Sequence, residues 1–325
     1  MAGAQRATIL ITGTLTEPQW DQIVAALPDH DLRRFAQQNA FEAAIEEADA
    51  IVCSELSPEA FRRARRLKLI QSWAAGPDRL MIPEIVASPI VVTSCKGNGA
   101  IPLAEHAMML MLMLNRDARR WARAQAAHRW DHWNHPELNG LTCGIIGLGH
   151  SGQDLALKCQ AFHMRVLGMR QSDTATPNVD EQYPGPGAPR FRERLHEFLG
   201  RSDFVVVTAP LTPETRGMLG EAEFRAMKRS AFYICFSRGG IADEAALLRA
   251  LREGWIAGGG LDAHTTEPLP ADSPFWDLPN AIVTPHNGAS TPGTRQRGVD
   301  IAIANLRALV EGGVYHNVVD KGRGY

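Results

Sequence analysis

This 325-residue chain has little charge imbalance, no paired cysteine motif and no long apolar run. Lys and Arg number 34 against 36 for Asp and Glu, so no basic field draws the chain to nucleic acid or anionic lipid, and neither partner is expected. The five cysteines (Cys53, Cys95, Cys143, Cys159, Cys235) are odd in number, scattered and free of any C-x-x-C pair. That argues against a disulfide framework or a zinc site and for a reducing compartment, with the thiols acting as buried apolar fillers. The main apolar stretch, Ala107 to Leu114, lies between His106 and Asn115, too short to span a membrane and suited to a buried helix. Met1 to Arg6 lead straight into the strand-like Ala7-Thr8-Ile9-Leu10-Ile11-Thr12, so no secretory leader is expected and the location is read as cytoplasmic. There is no internal repeat.

What is present is a recurrence of short apolar runs with helical stretches between them. Besides residues 8–12, the runs are 50–53, 69–72, 90–93, 143–147, 165–168, 204–208, 231–235 and 281–284. Their near-continuous apolar character predicts strands covered on both faces, hence α/β architecture with parallel sheets. One sheet would be crowded, so two Rossmann-like or flavodoxin-like parallel-sheet domains with a cleft between them are expected. Residues 1–103 with 291–325 would form a discontinuous substrate domain, and 104–290 a dinucleotide domain. The Pro- and Gly-rich stretch from Gln171 to Pro189 reads as a surface loop.

Gly147-Leu148-Gly149-His150-Ser151-Gly152 follows an apolar run and precedes a good helix start. In such a G-x-G-x-x-G, Gly147 permits the tight turn, Gly149 the approach of a pyrophosphate, and Gly152 close packing of helix on strand. The helix amides near His150 and Ser151 would meet the phosphates. About 20 residues on, where an NAD site usually carries an acid for the ribose 2′-hydroxyl, the chain has Arg170-Gln171-Ser172. A cation with hydroxyl and amide donors favours a 2′-phosphate, so NADP(H) is the expected cofactor, with NAD(H) admissible if Asp173 reads the ribose instead.

Three polar residues in the last third stand in specific settings: Arg238 in Ser237-Arg238-Gly239-Gly240, Glu267 in Leu261-Asp262-Ala263-His264-Thr265-Thr266-Glu267-Pro268, and His286 in Pro285-His286-Asn287-Gly288. A guanidinium can grip a carboxylate bidentately. An acid beside an imidazole orients it and favours the protonated form, which can then donate to a carbonyl oxygen. Together they suit reversible reduction of a 2-keto acid. In these segments the chain closely resembles the D-isomer-specific 2-hydroxyacid dehydrogenases, whose patterns are a form of Asn-x-x-Arg-Gly, a Leu-Asp-Val-Phe-x-x-Glu-Pro-like run, and Pro-His-x-Gly.

The resemblance implies a 2-keto acid reductase of the glyoxylate and hydroxypyruvate type, acting as a homodimer, with Arg238, Glu267 and His286 catalytic. It implies that Ala209, Pro210 and Thr215 of the Pro-Leu-Thr-like segment line the cofactor site, with Phe236, Ser237 and Gly288 beside the catalytic segments, and that Asp262 faces the nicotinamide amide. It further implies that amides near Ala75 and Gly76 bind the substrate carboxylate with Asn98 nearby, and that Trp130 and Trp133 lie near the dimer contact. The chain departs from the pattern at Ala263-His264, where Val-Phe is usual, which makes His264 a rival for the acid-base role. Two other functions compete: a formate- or phosphite-oxidising dehydrogenase, and a cofactor-sensing corepressor on the same fold. Formate-type enzymes use Gln in place of the glutamate, so Glu267 argues against the first. No peptide- or DNA-docking appendage supports the second.

Overall fold

Twelve strands divide between two all-parallel sheets in a computed structural model that describes residues 6–323. The chain forms two α/β units, one comprising residues to Gly99 together with those from Thr291 onward, the other Ala100–Ser290.

In the first unit the strands are β1 (Thr8–Thr12), β2 (Asp31–Phe35), β3 (Ala50–Cys53), β4 (Leu69–Ser72) and β5 (Val91–Thr93), in the order β2-β1-β3-β4-β5. Helices α1 (Glu17–Ala26), α2 (Gln38–Ala43), α3 (Pro58–Arg63) and α4 (Pro83–Val86) connect them. Because side chains alternate across a strand, Ile9, Ile11, Ala50, Val52 and Leu69 pack with Ile23 and Leu27 on one face of the sheet. Leu10, Ile51, Cys53, Ile70 and Val92 pack with Phe41, Ile45 and Leu80 on the other.

The second unit opens with α5 (Ala100–Asn115) and α6 (Ala118–Ala126). Helix α5 opens this unit at Ala100, and Pro102 lies in its first turn, where its missing N–H costs no hydrogen bond. The order then runs β6 (Thr142–Ile146), α7 (His150–Ala161), β7 (Arg165–Arg170), β8 (Glu181–Pro184), α8 (Phe191–Arg201), β9 (Phe204–Val207), α9 (Glu221–Ala226), β10 (Phe232–Cys235), α10 (Glu244–Arg252), β11 (Gly258–Leu261) and β12 (Ala281–Val283). The sheet order is β12-β11-β10-β9-β6-β7-β8. Cys143, Ile145, Phe204, Val206 and Ile234 face α5 and α7, while Ile146, Val205, Val207, Tyr233 and Leu261 face α8, α9 and α10. The long α11 (Pro292–Glu311) returns to the first unit. It is capped by the Thr291 side chain, which accepts from Thr294 N, and it ends at Gly312 in the left-handed region.

Chain order reverses between β6 and β9, which places the loops after these two strands side by side at a switch point, the usual ligand position in an open α/β sheet. All five cysteines are buried and free, and burial pushes the Cys53 and Cys95 thiols up to about 12. No helix among the described residues is long and apolar enough to cross a membrane.

Three strands lie outside the expected runs. The stretch 171–189, expected as a loop, contains β8, an edge strand that pairs with β7 and buries Tyr183 edge-on against Phe198. Arg201 holds β8 by donating from both terminal nitrogens to the Glu181 carboxylate, at 2.8 and 2.7 Å. Chiefly through this bond, Glu181 is held at about 2, below its ordinary 4.5. A carboxyl depressed in the fold adds stability that is present above its unfolded pKa and lost as pH falls toward the folded one. Partial exposure of both partners screens the effect. Urea unfolding of wild type and Arg201→Gln should therefore differ at neutral pH, with the gap closing as pH falls through about 2; an equal gap at neutral pH and below pH about 2 would contradict the assignment.

Candidate functional site

The glycine turn after β6 is shaped by close approaches. Gly147 has φ +104°, and a Cβ there would meet Ala209 N at 2.6 Å; a Cβ on Gly152 would meet Gly147 O at 2.1 Å. Nothing lies within 4 Å of the position a Gly149 Cβ would take, and no side chain caps α7 there. The first-turn amides of α7 around His150 and Ser151 are thus left for an external acceptor, an arrangement that fits a pyrophosphate.

Beside the turn, Ala209 N donates to Ile146 O at 3.0 Å, and the Thr208 hydroxyl donates to Gly147 O. Thr215 is buried, and its hydroxyl donates to Pro210 O at 2.8 Å and accepts from Thr212 N at 2.8 Å, closing the loop that starts at Pro210. At the end of β7, Arg170 is half-buried and donates to Thr176 Oγ1 at 3.0 Å, while Gln171, Ser172 and Asp173 are exposed. Thr176 in turn donates to Gln182 on β8, so the strand missed in the sequence supports this corner.

The three polar candidates sit at the ends of β10, β11 and β12 in the same unit. Phe236 is buried beyond β10, and half-buried Ser237 and Arg238 follow it. Arg238 donates to Ser237 O at 2.8 Å, and the Cys235 thiol donates to Arg238 O at 3.5 Å. A Cβ on Gly239 would stand 2.0 Å from the His264 carbonyl carbon, so the segment after β10 lies directly against the segment after β11.

Glu267 uses both carboxylate oxygens. Oε1 accepts from His264 N at 2.9 Å, and Oε2 is 2.7 Å from His286 Nδ1. His286 has φ +49°, an unusual conformation for a residue with a side chain, and its ring is 41% exposed. His264 is different: its side chain is 5% exposed and its Nε2 has no partner. Burial lowers its pKa, which keeps the ring neutral near pH 7 and removes it from contact with solvent-borne reactants.

Asp262 is fully buried. Its Oδ1 accepts from the Thr284 hydroxyl at 2.6 Å and from Asn287 N at 3.1 Å, and its Oδ2 accepts from Gly288 N at 3.0 Å. His106 on α5 stands 3.1 Å from Thr284 Oγ1. These bonds fix the turn that carries His286, a function the sequence did not suggest, since the resemblance placed this acid toward the nicotinamide. Gly288 is buried, and a Cβ there would stand 3.0 Å from Asp262 Oδ2.

In the first unit, the loop after β4 is anchored by Trp73 Nε1, which donates to Thr12 O at 2.6 Å. Ala75 is exposed and Gly76 half-buried. Asn98 is buried, and its carbonyl accepts from Arg297 Nε. Trp130 is 96% exposed, whereas Trp133 packs between Trp121 and the Arg120 guanidinium.

The family profile described as "D-isomer specific 2-hydroxyacid dehydrogenase, NAD binding domain" matches residues 108–288. A glyoxylate reductase of Thermococcus gammatolerans is 35% identical over 292 residues, 85% of this chain and 84% of that one. One from Korarchaeum cryptofilum is 33% identical with the same coverage. Among solved structures, an NADPH-dependent glyoxylate/hydroxypyruvate reductase from Sinorhizobium meliloti, in complex with NADP and sulfate, superposes with TM-score 0.84 at 30% identity, covering 98% of this chain and 100% of that one. A D-isomer specific 2-hydroxyacid dehydrogenase from Xanthobacter autotrophicus, in complex with NADPH and MES, gives 0.85 at 31% identity and the same coverage.

Asp262→Asn replaces one acceptor oxygen by an amide group that cannot accept, leaving Asn287 N or Gly288 N without its partner. Unfolding by denaturant should show a loss of about 1–3 kcal/mol, accompanied by slower turnover. An unchanged midpoint would mean that the turn does not depend on this carboxylate.

Proposed function

Because the chain belongs to the D-isomer specific 2-hydroxyacid dehydrogenase family, we propose that it reduces small 2-keto acids such as glyoxylate and hydroxypyruvate to D-2-hydroxy acids, preferring NADPH to NADH. The observation that carries this reading is the 2.7 Å pairing of Glu267 with His286. It sits in one unit with Arg238 and with a glycine turn that offers free helix amides.

In this reading Arg238 grips the substrate carboxylate through parallel hydrogen bonds and so aims the 2-keto carbon. Bound reduced nicotinamide supplies the hydride that this carbon accepts. His286 faces Glu267 through Nδ1, so its Nε2 proton is the one delivered to the carbonyl oxygen, converting imidazolium to imidazole as the alkoxide becomes a hydroxyl. Glu267 holds the ring in that orientation. In the reverse direction the same imidazole takes the proton back.

The NADPH preference rests on Arg170, a cation standing at the end of β7 where an acid would favour NADH. Ala75, Gly76 and Asn98 enter the reading as substrate contacts, and Phe236, Ser237 and Asp262 as cofactor neighbours, on resemblance. The five buried free thiols support a reducing, cytoplasmic setting. A homodimer is proposed, with exposed Trp130 and its neighbour Trp133 near the contact.

The reading is tested by following NADPH loss with glyoxylate, hydroxypyruvate, pyruvate and phenylpyruvate. Turnover of one or more to the D product is expected; tight NADPH binding without turnover of any would favour a cofactor-sensing protein instead. His286→Ala should lower turnover by about 10²–10⁴-fold with NADPH affinity nearly intact. If affinity collapses while bound substrate still reacts, the histidine has another role. Arg170→Asp should shift the ratio of kcat/KM for NADPH over NADH toward NADH, since a 2′-phosphate would face a carboxylate. A wild type that already prefers NADH, or a ratio that stays put, would assign the ribose to Asp173 or another group.

A further inference from the structure

The face of β4 that meets α11 carries a glutamine, Gln71, set between Val52 of β3 and Thr93 of β5. Gln71, Ser72, Thr93 and Asn305 are all fully buried. Gln71 Oε1 accepts from Thr93 Oγ1 at 2.8 Å and from Asn305 Nδ2 at 2.6 Å, and Gln71 Nε2 donates to Ser72 O at 2.7 Å and to Cys95 Sγ at 3.6 Å. Asn305, on α11, also holds residue 316 through both of that residue's backbone groups: Nδ2 donates to His316 O at 3.1 Å and Oδ1 accepts from His316 N at 2.7 Å. The chain after α11 is then led across β5, where Ser94 N donates to Asn317 O and Val319 N to Val92 O.

A buried amide with every group partnered fixes one arrangement of its surroundings, because each alternative leaves a polar group unsatisfied in an apolar interior. What surrounds Gln71 are the starts of two loops. Ser72 begins the loop 73–78 and bonds Ala74 N through its hydroxyl at 3.1 Å. Cys95 begins the loop that carries Asn98, accepts Asn98 N on its carbonyl at 3.0 Å, and donates its own N–H to Ala74 O at 3.0 Å. A leucine of similar size would fill the same space without choosing the relative height of these loops.

We propose that Gln71 is a positioning residue for the substrate. By bonding the ends of β4 and β5 to α11 and the C-terminal segment, it sets the placement of loop 73–78 against loop 95–99. This rests on the reading above, which gives Ala75, Gly76 and Asn98 to the 2-keto acid.

The test compares wild type with Gln71→Met, which keeps length and removes the amide, and with Ile23→Ala, which removes fully buried bulk from α1 in the same unit. In Gln71→Met, backbone amides of residues 73–78 should exchange with solvent faster than in wild type. KM for glyoxylate should rise about tenfold while the NADPH dissociation constant holds, as expected for lost substrate binding. Ile23→Ala should lower the melting temperature and move neither readout. Thr93→Val, which deletes one donor to Gln71, should shift both readouts in the same direction and decides the matter if Gln71→Met does not fold. Wild-type exchange in loop 73–78 of a folded variant, or an equal KM change in Ile23→Ala, overturns the proposal. Exchange needs no turnover, so a wild type inactive on every 2-keto acid would sink the functional reading while the exchange result still decides the positioning claim.

Discussion

Asp262 has no exposure to solvent and accepts three hydrogen bonds from the turn after β12, two of them from backbone amides. A buried carboxylate is costly unless its lone pairs are met by donors, and here the donors are the groups that shape residues 284–288. The turn cannot relax without leaving that charge unpaired. The strained φ of His286 is therefore held in place by an interaction two residues further along, and the ring is delivered to within 2.7 Å of Glu267. His106 on α5 adds a contact to the same hydroxyl of Thr284, linking the turn to the helix that backs the sheet.

The neighbouring segments are locked by contact. Gly239 lies so close to the His264 carbonyl that no side chain fits, and His264 N is the group that orients Glu267. Glu244, in the first turn of α10, accepts Thr265 N at 2.7 Å and pins the same segment from the other side. Arg238 and Glu267 thus belong to two segments in direct contact. Support of this kind holds the side chains of both segments in one arrangement.

Much of this was readable in the sequence because its determinants are local. Apolar runs at 50–53, 69–72 and 204–208 announced strands buried on both faces, and G-x-G-x-x-G after 143–146 announced the turn that the structure forms. Three strands were not readable, each for a different reason. β11 is Gly258-Gly259-Gly260-Leu261, a poor strand former on its face; a Cβ on Gly258 would stand 2.5 Å from Asn280 O and one on Gly260 3.1 Å from Leu110 on α5, contacts visible only in three dimensions. β2 is an edge strand bearing Asp31, Arg33 and Arg34, and β8 is an edge strand set among prolines, so neither shows the apolar signature of a covered strand. At the candidate site, Arg238, Glu267 and His286 were singled out by pattern, but the burial of His264 and the turn-holding bonds of Asp262, whose partners Thr284 and Gly288 lie 22 and 26 residues away, are visible only in three dimensions.

The pairing of Glu267 with His286 as one proton-delivering unit is tested most directly by a double-variant cycle on kcat/KM for glyoxylate reduction, using Glu267→Gln, His286→Ala and the two combined. Residues that act as a unit lose function once, so the combined variant should be no worse than His286→Ala by more than about twofold. Losses that multiply would show that the two side chains act independently and would contradict the account.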